Sequence, residues 1–465
     1  MEKTKEKVGI RLWLIFIIVG LAGQFAWSIE NMYLNTYIGY LNFTAVAAEK
    51  FDYSLIIAIT TALSAVTATL TTLLMGGLMD KIKHRKIFIC IGYLVWGIAT
   101  ASFGLLNVGS STALIPIQMA AVTAAIMVIV IDCCMTFFGS TANDAAFNSY
   151  VTQNTKDSNR AKVEGVLSIL PLISMLVIFV GLNGLTTKDG GYKWDLFFYI
   201  IGGIVSLVGI VALFLIPKED KVAKSNQPYF RLLVEGFKPT TIKTNKKLYL
   251  ILIAYFVFAT ATQVFFPYLM IYVEKTCQIA NTGSSFLTSF AIVMAVALLG
   301  GSLLSVIFGN LADKYGKSKM IIPTLVTYGV GIFMMFFGEY IASDVGRTVY
   351  MSISTLIMIL GFVAVPTILN AFVREYIPKG KEGVFMGVRM IFVVLLPMCI
   401  GPFIGDAING VGGSVYIDDF GVKNNIPSNY AYLAALAILA LVVIPLIFIF
   451  KNNIKEEIKN NGNKE

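Results

Sequence analysis

Three carboxylates interrupt stretches that are otherwise apolar, and through them this chain is best able to do chemistry. Asp132 directly follows Val128-Ile129-Val130-Ile131, and Thr136, Ser140 and Asn143 continue its face at helical spacing before Asp144. Glu30 lies in an earlier apolar stretch. A carboxyl set in apolar surroundings costs desolvation whenever it is charged, so an arriving proton or cation has to offset it. That is what a coupling site requires, and Asp132, Glu30 and Asp144 are the proton-coupling candidates, with Asp144 near the end of its stretch. The competing reading is structural: Asp132 bonded to a carbonyl or paired with Arg389.

Gln24, Trp27, Asn31 and Asn35 follow one another at helical spacing and project from one face, with Glu30 and Tyr37 nearby. Amides, an indole and a carboxyl suit a polyhydroxylated ligand, which needs hydrogen-bond partners and a flat apolar plate. Gln263 and Asn370 are the corresponding amides later in the chain. The alternative for the stripe is helix–helix packing with Trp27 as an interfacial anchor. Other chemistry has little to work with. His84 is the single histidine, and the five cysteines lack metal-ligand spacing and a histidine partner. No enzyme, metal or organic cofactor is expected.

The elements that position these residues are apolar helices. The chain is 57% hydrophobic and 14% charged with a mean hydropathy of +0.77, where a soluble protein carries about a quarter charged residues. Apolar blocks of about 20 residues, the length that spans a bilayer, fall near 11–35, 54–79, 87–106, 113–139, 163–184, 194–216, 247–273, 284–309, 319–338, 348–373, 383–408 and 429–450. Inside lipid each backbone polar group must be satisfied within its own segment, so such blocks are helices. The net charge of +9 does not mark a nucleic-acid binder, because the cations sit in the gaps between blocks. Of 36 Lys and Arg, 29 fall on the side of the N-terminus, which makes that side and both termini cytoplasmic. The basic start running into Trp27 and Tyr33 is a retained first helix, not a cleaved signal.

Punctuation repeats between the two halves. Gly76 to Lys86 reads GGLMDKIKHRK and Gly309 to Lys319 reads GNLADKYGKSK; Glu164-Gly165-Val166 returns as Glu382-Gly383-Val384. Internal duplication of this kind marks a membrane transporter. The expected fold is all-α: twelve transmembrane helices in two pseudo-symmetric six-helix bundles, residues 1–216 and 247–465, joined by a cytoplasmic linker at 217–246. The charged residues around the basic loops (Asp80, Arg85, Arg160, Glu164, Asp313, Lys314, Arg374, Glu382 and Arg389) read as ion-pair networks that close the inner mouth. The external break from Asn409 to Asn429 has no assigned role.

The paired Gly-xxx-Asp-Lys loops resemble the signature of the major facilitator superfamily, although Lys83 and His84 stand where a small residue and an arginine are usual. GQFAWSIENMYLNTY (Gly23–Tyr37), TANDAAFNSYVTQ (Thr141–Gln153) and GVRMIF (Gly387–Phe392) resemble the sucrose-transporter-like branch of the glycoside–pentoside–hexuronide:cation symporters. The resemblance implies alternating access and a proton-coupling aspartate at Asp132. The branch's sugar-binding arginine in the fifth helix has no counterpart, since Ala161 to Gly184 holds only Lys162; nor have the second-helix aspartates of sodium-coupled members. Proton-coupled symport of a sugar by a monomer in a bacterial inner membrane is the resulting expectation. An exporter of amphipathic compounds is the alternative in transport. A non-transporting sensor or scaffold is the alternative of another class, and it would be expected to carry a longer output segment than the tail from Lys451.

Overall fold

The computed structural model describes residues 8–44, 53–82, 84–106, 120–156, 159–186, 192–217, 229–230, 234–279, 293, 300, 307, 311, 314–411, 414–417 and 423–449. Among them eleven helices are long and apolar enough to cross a membrane. These are α1 Ile10–Ser28, α2 Ile59–Ile82, α3 Arg85–Leu105, α4 Val122–Gln153, α5 Arg160–Phe179, α6 Trp194–Leu215, α7 Lys246–Tyr268, α8 Lys317–Tyr340, α9 Asp344–Tyr376, α10 Glu382–Val411 and α11 Tyr430–Ile449. The eighth apolar block, near 284–309, falls almost wholly outside the described residues.

These helices are apolar on both faces. On α3, Ile89, Tyr93 and Trp96 are buried while Ile87, Ile91 and Ile98 are exposed. A helix apolar all round is at home inside a protein core or in lipid, not half in water. Two apolar cores result. One gathers Phe16, Tyr37, Trp96, Trp194, Phe197 and Phe198 from α1, α3 and α6 and the helical extension of α1. The other gathers Phe258, Phe265, Tyr272, Tyr328 and Tyr432 from α7, the π turn Tyr272–Thr276 that follows it, α8 and α11.

Helix ends are closed by long cations. Arg11 Nε donates to the Leu215 carbonyl at 2.8 Å and Lys86 Nζ to the Ile216 carbonyl at 2.7 Å, satisfying the end of α6. Some boundaries differ from the sequence reading. α1 passes through a wide π turn at Ile29–Tyr33 and runs on as helix through Leu34–Thr44. α4 does not stop near 139. It passes through a second wide turn at Ser140–Phe147 and ends at Gln153, because that stretch, though polar, is rich in small residues and free of proline and glycine. α10 has a third, at Ile391–Leu395. The break from Asn409 to Asn429 contains a short antiparallel hairpin, Val415–Ile417 against Lys423–Asn425.

Candidate functional site

A cavity of about 510 Å³ lies between the two cores. Its first wall carries Gln24, Trp27 and Glu30 of α1, Ser64 of α2 and Asn143 and Asp144 of α4. The facing wall carries Tyr255 and Gln263 of α7, Asn370 of α9 and Arg389 of α10. Three of the wide turns lie at this cavity, through Glu30, Asn143, Asp144 and Val393, while a fourth at Tyr272–Thr276 lies away from it. A π turn widens the helix locally and frequently accompanies a functional position, since it re-aims side chains that a regular helix would place elsewhere.

The acids form a connected set. Ser64 Oγ donates to Glu30 Oε1 at 2.5 Å, and Ser64 and Thr136 hydroxyls lie 2.8 Å apart. Ser64 has one hydroxyl proton, so with Glu30 ionised that proton faces the carboxylate and Thr136 is the donor to Ser64. Asp132 precedes Thr136 by one turn of the same helix and is fully buried. Among the described residues neither of its carboxyl oxygens has a hydrogen-bond partner, and Glu30 Oε2 has none either. Glu30 is close enough to interact electrostatically with Asp132 and with Asp144. Asp132 does not line the cavity; Glu30 and Asp144 do. The coupling candidates therefore divide into two acids at the cavity and one behind them.

Asp144 accepts from Ser140 Oγ at 3.0 Å and from Asn143 Nδ2 at 3.1 Å. The Tyr93 hydroxyl donates to Asn143 Oδ1 at 2.9 Å, which fixes the amide so that its nitrogen faces Asp144. Asp144 is thus held inside the wall, not at the helix end where the sequence reading put it. Trp27 packs on Trp96 with ring centroids 5.1 Å apart and also lines the cavity.

The base of the cavity is closed between the two halves. Arg374 pairs with Glu164 and donates to the Asn148 carbonyl at 2.6 Å, to Thr152 Oγ1 at 2.6 Å and to Asn148 Oδ1 at 2.8 Å. Arg85 lies between Asp80 at 3.2 Å and Glu382 at 3.5 Å. Asp80 Oδ2 accepts the Val384 backbone N–H at 2.9 Å, so a carboxylate of one half sits at the N-terminus of α10 in the other. The helices meet at Gly76 and Gly383. A Cβ on either would run into the carbonyl group of the other, so only glycine permits this approach.

Several expected residues stand elsewhere. Asn35 lies beyond the wide turn, is exposed, and does not line the cavity, because the π turn breaks the constant rotation per residue on which the four-residue stripe rested. Asn31 belongs to that turn, and its side chain lies outside the described residues, as does Asp313. Lys314 is exposed, its ammonium 5.2 Å from the Tyr315 ring centroid. Arg160 donates to the Thr155 carbonyl at 3.1 Å. Arg389 is not paired at the base: its Nε donates to Asn370 Oδ1 at 3.1 Å, and its guanidinium lies 5.8 Å from the Tyr255 ring centroid, at the cavity. It therefore makes no ion pair with Asp132. Ser64 and Tyr93 were missed. Ser64 is one of many hydroxyls on α2, with Thr60, Thr67, Thr69, Thr71 and Thr72, and spacing alone singles out none of them.

The family model described as Major Facilitator Superfamily matches residues 12–402 and 278–465. The multidrug resistance protein MdtG of Escherichia coli strain 55989 is 26% identical over 185 residues, which is 40% of this chain and 40% of that protein. A second, from E. coli O1:K1, is 25% identical over the same length. This chain thus matches about 40% of the length of these relatives. Among solved structures, the proton:xylose symporter XylE bound to 6-bromo-6-deoxy-D-glucose superposes with a TM-score of 0.68 at 13% identity over 96% of each chain. A bacterial homologue of the iron transporter ferroportin, outward-facing, superposes at 0.65 and 11% identity, covering 96% of this chain and 100% of that one. The human organic anion transporter MFSD10 (TETRAN) gives 0.65 and 13%, covering 94% and 99%. At these identities the likeness is one of fold: an all-α membrane architecture of two helical bundles.

Proposed function

The chain belongs to the Major Facilitator Superfamily, and we propose that it imports a polar, sugar-like solute together with protons by alternating access. The observation that carries this reading is the path Glu30–Ser64–Thr136 with Asp132 behind it. A proton taken up at the cavity has hydroxyls leading as far as Thr136, one turn from a carboxyl that no described side chain neutralises. Leaving such a buried charge uncompensated costs several kcal/mol, so Asp132 acts as a proton store whose filling is tied to the state of Glu30.

The solute occupies the space between Gln24 and Trp27 on one wall and Gln263 and Asn370 on the other. Amides supply two donors and an acceptor each, and the indole covers apolar C–H surface. Arg374–Glu164 and Arg85–Asp80–Glu382 hold the base shut, leaving the opposite end as the route of entry, and separate when the bundles rock. We place the chain in a bacterial inner membrane, acting as a monomer, with the closed base toward the cytoplasm and the proton, not sodium, as the coupling ion.

The relatives named for multidrug resistance, and the apolar lining from Phe147, Phe258, Phe362, Met390 and Met398, favour a second reading as an exporter of amphipathic compounds. One experiment separates them. Purified protein in proteoliposomes is given a panel of sugars and, separately, a lipophilic cation, while external pH is followed. Alkalinisation on adding one sugar, lost in Asp132→Asn while sugar exchange persists, supports symport. Silence with all sugars together with movement of the lipophilic cation sinks it in favour of export.

A further inference from the structure

Charge is distributed unequally between the cavity walls. Five ionisable acids and guanidinium groups line it: Glu30, Asp144, Glu164, Arg374 and Arg389. Glu164 and Arg374 neutralise each other. That leaves two acids on the first wall and one guanidinium opposite. Among the described residues Arg389 pairs with no carboxylate; its neighbours are Asn370, which accepts from Nε, and the Tyr255 ring. A guanidinium has five N–H donors in a planar fork, and a carboxylate is the group that matches that fork in shape and charge. A partly buried guanidinium that no described carboxylate contacts directly keeps donors free for a ligand, and a ligand that completes them offsets the cost of its burial.

We propose that Arg389, oriented by Asn370 and Tyr255, seats a carboxylate of the transported solute, so that the substrate is a small polyhydroxy acid and not a neutral sugar. This rests on the reading of the cavity as a solute site and narrows its substrate class. The same geometry links the solute to the proton. Arg389 is near enough to Asp144 for their charges to interact. When Asp144 is ionised it competes for the field of Arg389; when it carries a proton, Arg389 is left for the solute. Proton and anion then favour one another's binding, as reciprocal linkage requires. The other charged or titratable groups facing this space are Glu30 on α1, Glu164 on α5, Tyr255 on α7 and Arg374 on α9, with Asp132 behind the wall on α4. Glu164 and Arg374 stay matched, so Glu30 and Asp144 are the groups whose protonation changes the charge the solute meets.

The test compares matched pairs, gluconate with sorbitol and lactobionate with lactitol. Half-saturation is read from thermal stabilisation of the purified full-length protein, on the acid and the alkaline side of neutrality. The expected result is an acid preferred to its neutral partner by about tenfold or more, as a charge-assisted bidentate contact gives, with the preference growing toward acid pH. Arg389→Gln brings the acid-to-neutral ratio close to one, Arg389→Lys keeps part of it, and Asp144→Asn keeps the preference but weakens its pH dependence to the part that Glu30 contributes. Equal or better binding of the neutral partner in the wild type, or a preference that survives Arg389→Gln, overturns the proposal while leaving the solute site standing. Failure of both members of each pair, with stabilisation by a lipophilic cation instead, overturns the site reading as well.

Discussion

The guanidinium of Arg374 reaches across the molecule to the carboxylate of Glu164, 210 residues away in sequence, and both are almost completely buried. The same guanidinium takes the carbonyl and amide oxygen of Asn148 and the hydroxyl of Thr152. One side chain of the second half thus satisfies polar groups on α4 and α5 of the first, directly beneath the cavity.

Removing it leaves a buried carboxylate alone. Arg374→Ala is expected to cost about 3–5 kcal/mol, the usual penalty for orphaning one partner of a buried pair. Thermal unfolding in detergent checks this. In a double-mutant cycle, Arg374→Gln with Glu164→Gln should cost clearly less than the sum of the two singles. Simple additivity would mean that the pair does not act as a unit.

Gly76 and Gly383 set how closely the base can shut. Gly76→Ala or Gly383→Ala should hold the two helices apart and admit solvent to the base. A cysteine at Ser168, which bonds Thr367 across the halves at 3.0 Å, should react several-fold faster with a bulky thiol reagent in either glycine variant. Unchanged reactivity would remove the glycine pair from any part in closure.

Ser64 is the hydroxyl between Glu30 and Thr136. Ser64→Ala withdraws one hydrogen bond from a half-buried carboxylate at the cavity, worth about 1–3 kcal/mol. Proton movement per sugar should therefore fall while sugar exchange continues, as for Asp132→Asn. Equal loss of both activities would assign Ser64 to packing alone.

Trp27→Ala should raise the half-saturating solute concentration by about three- to tenfold, in line with the worth of an aromatic contact. Trp27→Phe should recover part of it. If affinity for every transported solute stays constant in both variants, Trp27 serves Trp96 and not the ligand.

The linker supplies a pH prediction. Glu235 bridges Lys381 at 3.0 Å and Lys238 at 3.2 Å, and the Lys381 hydrogen bond, helped by that of Lys238, holds its carboxyl below the ordinary value. A depressed folded value means that the stabilisation is present above the unfolded carboxyl's value of about 4.3 and is lost as pH falls through the folded one. Limited proteolysis of the linker should therefore be flat through neutrality and quicken only in acid. Glu235→Gln should quicken it already at neutral pH.

Much of this protein is written in one dimension. Block length and all-round apolarity determined membrane-spanning helices, because lipid demands that each helix close its own backbone bonds. The repeated GGLMDKIKHRK and GNLADKYGKSK determined that the chain is duplicated, and the superfamily match agrees. The acids Glu30, Asp132 and Asp144 stood out on cost alone, since charge in an apolar block is too expensive to be incidental. What spacing could not determine was which of them meets the cavity. The wide turns at Ile29–Tyr33 and Ser140–Phe147 shift the helical phase, sending Asn35 out of the lining and keeping Asp144 within it. Only the tertiary structure decided the partners: Arg85 with Asp80 and Glu382, Arg374 with Glu164, and Arg389 left at the cavity with Asn370. A long cationic side chain can reach any of several acids, and distance in space, which sequence does not carry, selects among them.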